Sequence, residues 1–150
     1  MKDTAHSSED TQLFYVPVDV VLSIWDDVAR LLEKSVATAG GRFEVDDVRD
    51  RILQGVYLLW VATVDKRIVA ALTTRIIEYP RRRALALDWI GGSQMRKWLP
   101  LAQKTMADYA RLNGCEELEG YGRKEWGRAL RAYGWQPHYM AFKMELTDGQ

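Results

Sequence analysis

ALALDWIGGSQMRKWLPLAQKTMADYARLNG, residues 84–114, is the stretch around which the chain is organised. Its first seven residues, Ala84 to Ile90, form an apolar run broken only by Asp88, which reads as a buried strand. Gly91-Gly92 ends that strand. An amphipathic helix follows, with Trp98, Leu99, Ala102, Met106, Tyr109 and Ala110 on one face, and stops near Leu112-Asn113-Gly114. Pro100 is expected in its first turn, since deeper in a helix it removes a backbone hydrogen bond. A strand passing through glycine into a helix N-terminus is a common phosphate site, because the first N–H groups have no helical partner and the dipole favours an anion.

Upstream, Val56–Val64 and Arg67–Tyr79 read as a hairpin turned by Asp65-Lys66. Pro80-Arg81-Arg82-Arg83 then turns the chain into the Ala84–Ile90 strand. Three strands joined by short turns argue for an antiparallel meander, not a doubly wound parallel sheet. Before them lie a polar, flexible tail over residues 1–11, a short strand from Gln12 to Val16, and a helix with Val18, Val21, Leu22, Trp25, Val28, Ala29, Leu32 and Val36 at helical spacing. A second short helix spans Glu44–Gln54, with Gly55 past its end. Downstream, Cys115–Tyr121 reads as a strand parallel to its predecessor, because a helical crossover joins the two. A last helix places Trp126, Ala129, Leu130 and Tyr133 on one face and is capped by Gly134. Trp135–Leu146 supplies a closing strand, begun through Pro137. One domain over residues 12–150 follows.

Of 150 residues, 47% are hydrophobic and 28% charged, the balance of a globular protein. Lys plus Arg (21) equals Asp plus Glu (21), which argues against nucleic acid as a partner. A single cysteine, Cys115, excludes an internal disulfide. No apolar run approaches the roughly 20 residues of a membrane span, so no membrane partner is expected. Met1 to Asp10 has no apolar signal core, which points to the cytoplasm.

The order strand, two helices, three antiparallel strands, helix, strand, helix, strand, with Gly134-Trp135 after the last helix, resembles the GNAT superfamily of N-acetyltransferases over residues 12–146. The segment Trp126-Gly-Arg-Ala-Leu-Arg-Ala-Tyr-Gly-Trp135 is similar to that family's late helix followed by a "Gly-Phe" pair, with Trp in place of Phe. The resemblance implies an α+β fold: one mixed, mostly antiparallel sheet with helices on both faces. It implies acetyl-CoA held between two splayed strands, its pyrophosphate on the third helix's N-terminus. More narrowly, Arg123-Lys-Glu-Trp-Gly-Arg128 resembles small GNAT-like proteins that tailed phages encode among their head and tail genes. That implies other virion proteins as partners, residence in the host cytoplasm or the virion, and leaves an oligomer open.

The family's phosphate motif is Gln/Arg-x-x-Gly-x-Gly/Ala. Counting back from Gly114 puts Gln94 to Leu99 in that slot, where Gln94 matches but Lys97 and Leu99 replace both small residues. A Leu side chain would take up phosphate volume, and Lys97 would add a compensating charge. A gapped alternative makes Gly91-Gly92 the cradle, although glycine at a strand exit is ordinary turn chemistry. Many members carry a tyrosine, four residues before the late glycine, that protonates the leaving thiolate. Leu130 stands there, and Tyr133 points elsewhere on the helix. Asp88 and Glu119, on the strands flanking the cleft, are the candidate general bases. Each has a plainer reading, as a strand-end carboxylate bonded to backbone and as an outward residue of an alternating strand.

Two readings follow: a non-catalytic phage-type protein that binds other proteins and needs no cofactor, and an acetyl-CoA-dependent N-acetyltransferase with a diverged loop. In the second, Gly91, Gly92, Gln94 and Lys97 would line the cofactor. His6 and His138 are too isolated for a zinc site or a Ser/His/Asp system. Cys115 reads as a packing residue. Arg81, Arg82 and Arg83 form a basic turn, either solvated or a clamp for phosphate or an acidic partner surface. Arg123, Lys124, Arg128 and Arg131 make a second basic face. Trp25, Trp60, Trp89 and Trp126 fit buried stripes, Trp98 would plug the cofactor groove, and Trp135 is structural.

Overall fold

The computed structural model describes residues 10–122 and 126–149. The expected flexible tail, with His6, lies outside the described residues except for positions 10 and 11, as do Arg123 and Lys124. The end of the tail is ordered: the Asp10 N–H donates to Asp65 Oδ1 at 3.0 Å, and the Asp65 N–H to the Asp10 carbonyl at 2.9 Å. These bonds lengthen the first strand, β1 (Thr11–Val16), beyond its expected start.

Two helices follow, α1 (Val18–Ala37) and α2 (Val45–Leu53). Along α1, Val21, Trp25, Val28, Leu32 and Val36 are buried. Each buried side chain of this kind is worth roughly 1.5–3 kcal/mol, against propensity differences of at most about 0.7 kcal/mol per ordinary residue. Packing on the sheet, not local preference, therefore holds α1. At the start of α2 a capping box forms, the Glu44 N–H donating to Asp47 Oδ2 at 2.8 Å.

β2 (Leu58–Val64) and β3 (Arg67–Glu78) make the predicted hairpin. Asp65 and Lys66 both take positive φ, 50° and 69°, as a two-residue turn matched to strand twist requires. The chain continues through β4 (Arg83–Leu87), β5 (Ile90–Gly92), α3 (Met95–Leu112), β6 (Glu117–Gly120) and α4 (Trp126–Arg131). Sheet order is β1-β2-β3-β4-β6, antiparallel throughout except for the β4–β6 pair, which is parallel. One face, with Leu59, Val61, Ala71 and Trp89, lies in a core with α1 and α2; the other, with Trp60, Leu72, Leu85 and Leu87, lies in a core with α3. The mixed α+β sheet with helices on both faces is thus present.

Three local expectations are corrected. The Ala84–Ile90 strand is two strands, because β3 pairs as Arg75↔Ala86 with β4 but as Leu72↔Ile90 with β5. Two residues of β3 face three at Leu87–Trp89, which is a β-bulge. Pro100 lies beyond the first turn of α3, because the helix already begins at Met95. The carbonyl its missing N–H would have taken belongs to Arg96, and both residues are exposed, so water can serve it. The closing strand over Trp135–Leu146 does not form, and residues 136–146 are exposed without strand pairing. A strand needs a second backbone for its N–H and C=O groups. Here the segment is drawn instead to the α1–α2 loop, where Lys143 Nζ donates to the Gly40 carbonyl at 3.0 Å.

Gly91 shows how tightly α1 seats. A Cβ there would lie 2.0 Å from the Leu31 carbonyl oxygen of α1, whereas a Cβ on Gly127 in α4 meets nothing within 4 Å. Gly91→Ala should therefore cost roughly 2–3 kcal/mol in chemical denaturation. Gly127→Ala should gain about 0.5–1 kcal/mol by helix propensity. Equal effects at the two sites would contradict the close approach of α1 to β5.

Candidate functional site

The bulge builds the site. Along β4 the side chains of Ala84 and Ala86 share a face with Arg75 and Ile77 of β3. The extra residue resets that alternation, so that Asp88 and Trp89, although consecutive, line one cavity of about 310 Å³. Its other walls are Phe43, Arg51, Val56, Tyr57 and Arg75. Phe43 meets Trp89 edge to face at 5.0 Å between ring centres, and the Arg51 guanidinium lies 4.9 Å over the Phe43 ring. The pocket is thus partly aromatic, with charge at one end.

Two of the three charged walls, Arg75 and Asp88, form a pair. Arg75 Nε and Nη2 donate to the two oxygens of Asp88 at 2.5 and 3.2 Å, and the Asp88 side chain is only 10% exposed. The hydrogen bond to Asp88 holds the guanidinium above its ordinary value, against an opposing effect of burial. A base role for Asp88 would have to compete with this bidentate bond. The sequence reading of a strand-end carboxylate bonded to backbone is therefore replaced by a side-chain partner. Arg75 was missed, yet a signal existed: a lone cation within an apolar strand beside a neighbour carrying a lone anion.

On the same face of the sheet, one step toward the edge, Glu119 faces Ala86 across the parallel β4–β6 register. Tyr79 donates its hydroxyl to Glu119 Oε1 at 2.6 Å, and Tyr121 donates to Oε2. The two candidate bases thus lie on one face, and neither is a bare carboxylate. The Tyr79 phenol is raised first by its hydrogen bond to Glu119, and that of Tyr121 first by burial and then by the same carboxylate.

The four candidate cofactor residues divide. Gly91 and Gly92 serve packing: beyond the Leu31 contact, a Cβ on Gly92 would lie 2.3 Å from the Val69 carbonyl oxygen, and its φ is +146°. Only Ser93 and Gln94 join β5 to α3. Gln94 is the N-cap residue, left-handed at φ 57°, and gives no side-chain cap. Lys97 is exposed. Leu99 and Trp98 do not fill a groove at the helix start; both are buried in the core, and Trp98 Nε1 donates to the Ser93 carbonyl at 2.7 Å. The helix begins a turn earlier than the motif alignment supposed, which carries both side chains inward. Beside this corner a wedge opens, since β4 and β6 pair only from Ala84↔Glu117 to Leu87↔Gly120 while β5 continues on β3 alone.

Elsewhere, the basic turn is largely answered within the chain: Arg82 lies 3.7 Å from Glu117 and Arg83 3.6 Å from Glu78. Tyr133, expected in a core stripe, is 37% exposed, and α4 has no buried residue. Arg128 and Arg131 are exposed on it. Burial raises the Cys115 thiol, as suits a packing residue.

The fold is shared with solved acetyltransferases. An aminoglycoside N-acetyltransferase in complex with CoA aligns with a TM-score of 0.67 at 14% identity, over 93% of this chain and 96% of that one. Glucosamine-6-phosphate N-acetyltransferase from Arabidopsis thaliana aligns at 0.63 and 14% identity, over 93% and 100%. A Trypanosoma brucei acetyltransferase aligns at 0.63 and 17% identity, over 91% and 100%. No family model and no curated protein matches the chain. The architecture is the GNAT-like α+β fold.

Because both phenols are raised in the folded protein, folding stabilises their neutral form. That contribution is complete below the ordinary tyrosine value of about 10 and is lost as pH climbs through the folded values. Glu119→Gln should lower the ionisation midpoint of Tyr79 more than that of Tyr121, which burial still holds up. An ultraviolet titration that is unchanged by the substitution would contradict the bonded cluster.

Proposed function

We propose that this chain keeps the GNAT fold as a scaffold and works by binding other proteins, without acyl transfer. The observation that carries the reading is the corner between β5 and α3. Its two glycines seat α1 and β3 against β5, and only two residues remain before the helix. A pyrophosphate cradle needs bare backbone free to face the ligand, and at Gly91 and Gly92 the space opened by the missing Cβ is taken by protein backbone. Leu130 in place of the family's acid tyrosine, and the occupied oxygens of Asp88 and Glu119, support the same reading. The setting we propose is a phage virion or its assembly, on the resemblance of the Arg123–Arg128 stretch, with other virion proteins as partners and the host cytoplasm as the place of synthesis.

A second reading, acyl-CoA-dependent N-acetyl transfer, is favoured by the wedge beside β5 and by the likeness to acetyltransferases, one of them solved with CoA. In that reading Asp88 or Glu119 is the base, and Gly91, Gly92, Gln94 and Lys97 line the cofactor. Calorimetry with acetyl-CoA separates the two: no binding is expected, and a dissociation constant of roughly 1–100 µM, usual for enzymes, would overturn the first reading. Should transfer be detected, Asp88→Asn or Glu119→Gln should lower turnover roughly 100-fold. Unchanged rates in both variants would remove those residues as bases.

The basic turn is proposed as part of the partner surface. Replacing Arg81, Arg82 and Arg83 with serine should cost about 1 kcal/mol of stability or less, since their ion pairs are exposed. Assembly into particles should weaken, and in the unaltered protein it should be salt-sensitive. Assembly indifferent to the triple change would leave the arginines a solvated turn.

A further inference from the structure

The cavity beside the bulge carries one positive charge that nothing in it answers. Of its three charged walls, Arg75 and Asp88 engage each other, and both oxygens of the carboxylate are taken. Arg51 is left over. Among the described residues it makes no ion pair, whereas its neighbour Arg49 takes both Asp46 and Asp50. Its guanidinium rests 4.9 Å over the Phe43 ring, which attracts a cation but cannot neutralise it. Trp89 adds a second unanswered donor: it is buried, and its indole N–H has no acceptor among the described residues. Buried donors are as a rule paired. The Arg51 carbonyl accepts from the Val56 N–H at 2.8 Å and the Tyr57 N–H at 3.4 Å, so the turn that ends α2 holds three walls as a unit. Arg51 and Val56 are exposed while Tyr57 and Trp89 are buried, which leaves the cavity open on the side of Arg51.

We propose that this cavity binds a small monoanion, a carboxylate carried on an aromatic ring, with the carboxylate on Arg51 and the ring against Phe43 and Trp89. One unmatched cation selects one negative charge, and the fork of a guanidinium suits the two oxygens of a carboxylate. An amine would bring a second charge of the same sign to Arg51, and the one carboxylate in the walls is already engaged. Phe43 and Trp89 already meet edge to face, and a third ring can join such a cluster. A volume of about 310 Å³, at the low end of ligand sites, fits one such group. A free acid and the C-terminal aromatic residue of a protein partner present the same chemistry. The site requires neither acyl-CoA nor acyl transfer.

Nitrogen–proton correlation spectra of the full chain read the indole N–H of Trp89, assigned by comparison with Trp89→Phe. N-acetyl-phenylalanine should move that resonance saturably, with a dissociation constant of about 1 mM or below. N-acetyl-phenylalaninamide, of the same shape without the charge, and phenethylamine, of the opposite charge, should each bind roughly 10-fold more weakly or worse. Arg51→Gln, at an exposed position, should keep the circular dichroism of the fold. It should lose roughly 10-fold in affinity for the acid and none for the amide. A capped peptide ending in phenylalanine separates the two sources. Binding as tight as that of the acid assigns a partner's C-terminus, binding of the acid alone assigns a free acid, and both support the site. No shift with the acid up to about 10 mM, far weaker than a specific site requires, overturns the proposal. So does an amide or amine bound as tightly as the acid, or acid binding indifferent to Arg51→Gln. Acetyl-CoA binding is read separately by calorimetry, and none of these outcomes bears on it.

Discussion

The backbone of α1 meets the backbone of β5 at Gly91, close enough that a single added carbon would strike the Leu31 carbonyl oxygen. Much follows from that contact. It brings Leu32, Val28 and Trp25 down onto the sheet and fixes β5 against β3. The strand must then reach Gly91 in register with β3, and the bulge at Leu87–Trp89 absorbs the mismatch with β4. The bulge in turn turns Asp88 and Trp89 into one cavity beside Arg75. Helix packing, sheet irregularity and site are thus one linked arrangement, and the glycines belong to it.

The features that most invited a catalytic reading each have a partner within the chain. Glycine before a helix suggests a ligand, but here the nearest atoms to each missing Cβ are protein backbone. Asp88 interrupts an apolar strand because its charge is matched by Arg75 across the bulge, with both oxygens engaged. Glu119 is held between two phenols. The cavity has three aromatic walls, and its charged groups are two cations, Arg51 and Arg75, and one anion, Asp88.

Most of the architecture was legible in the sequence, because hydrophobic period and turn chemistry are local signals. The helical stripe from Val18 to Val36, the Asp65-Lys66 turn and the β2–β3 hairpin required no tertiary knowledge. The bulge was not legible, since a one-residue slip changes no composition and only the partner strand reveals it. Pro100 misled for a related reason: its preference for a first turn lost to burial of Trp98 and Leu99, which needs the helix to start at Met95. Residues 135–146 carry a sound strand pattern, but a pattern names a face to be buried and not the edge that buries it. In the site, Asp88 and Glu119 were found as carboxylates on flanking strands. Arg75 and Tyr79 were not, because their partners are set by cross-strand register, and Tyr121 was missed although it stands only two residues from Glu119.

We propose that backbone at the β5–α3 corner serves packing and not a pyrophosphate. Amide chemical shifts report on that backbone directly. With coenzyme A added to millimolar concentration, the account predicts no saturating change at Gly91, Gly92, Ser93, Gln94, Met95 or Arg96. Saturating shifts centred on these amides, with a midpoint in the micromolar range, would contradict it.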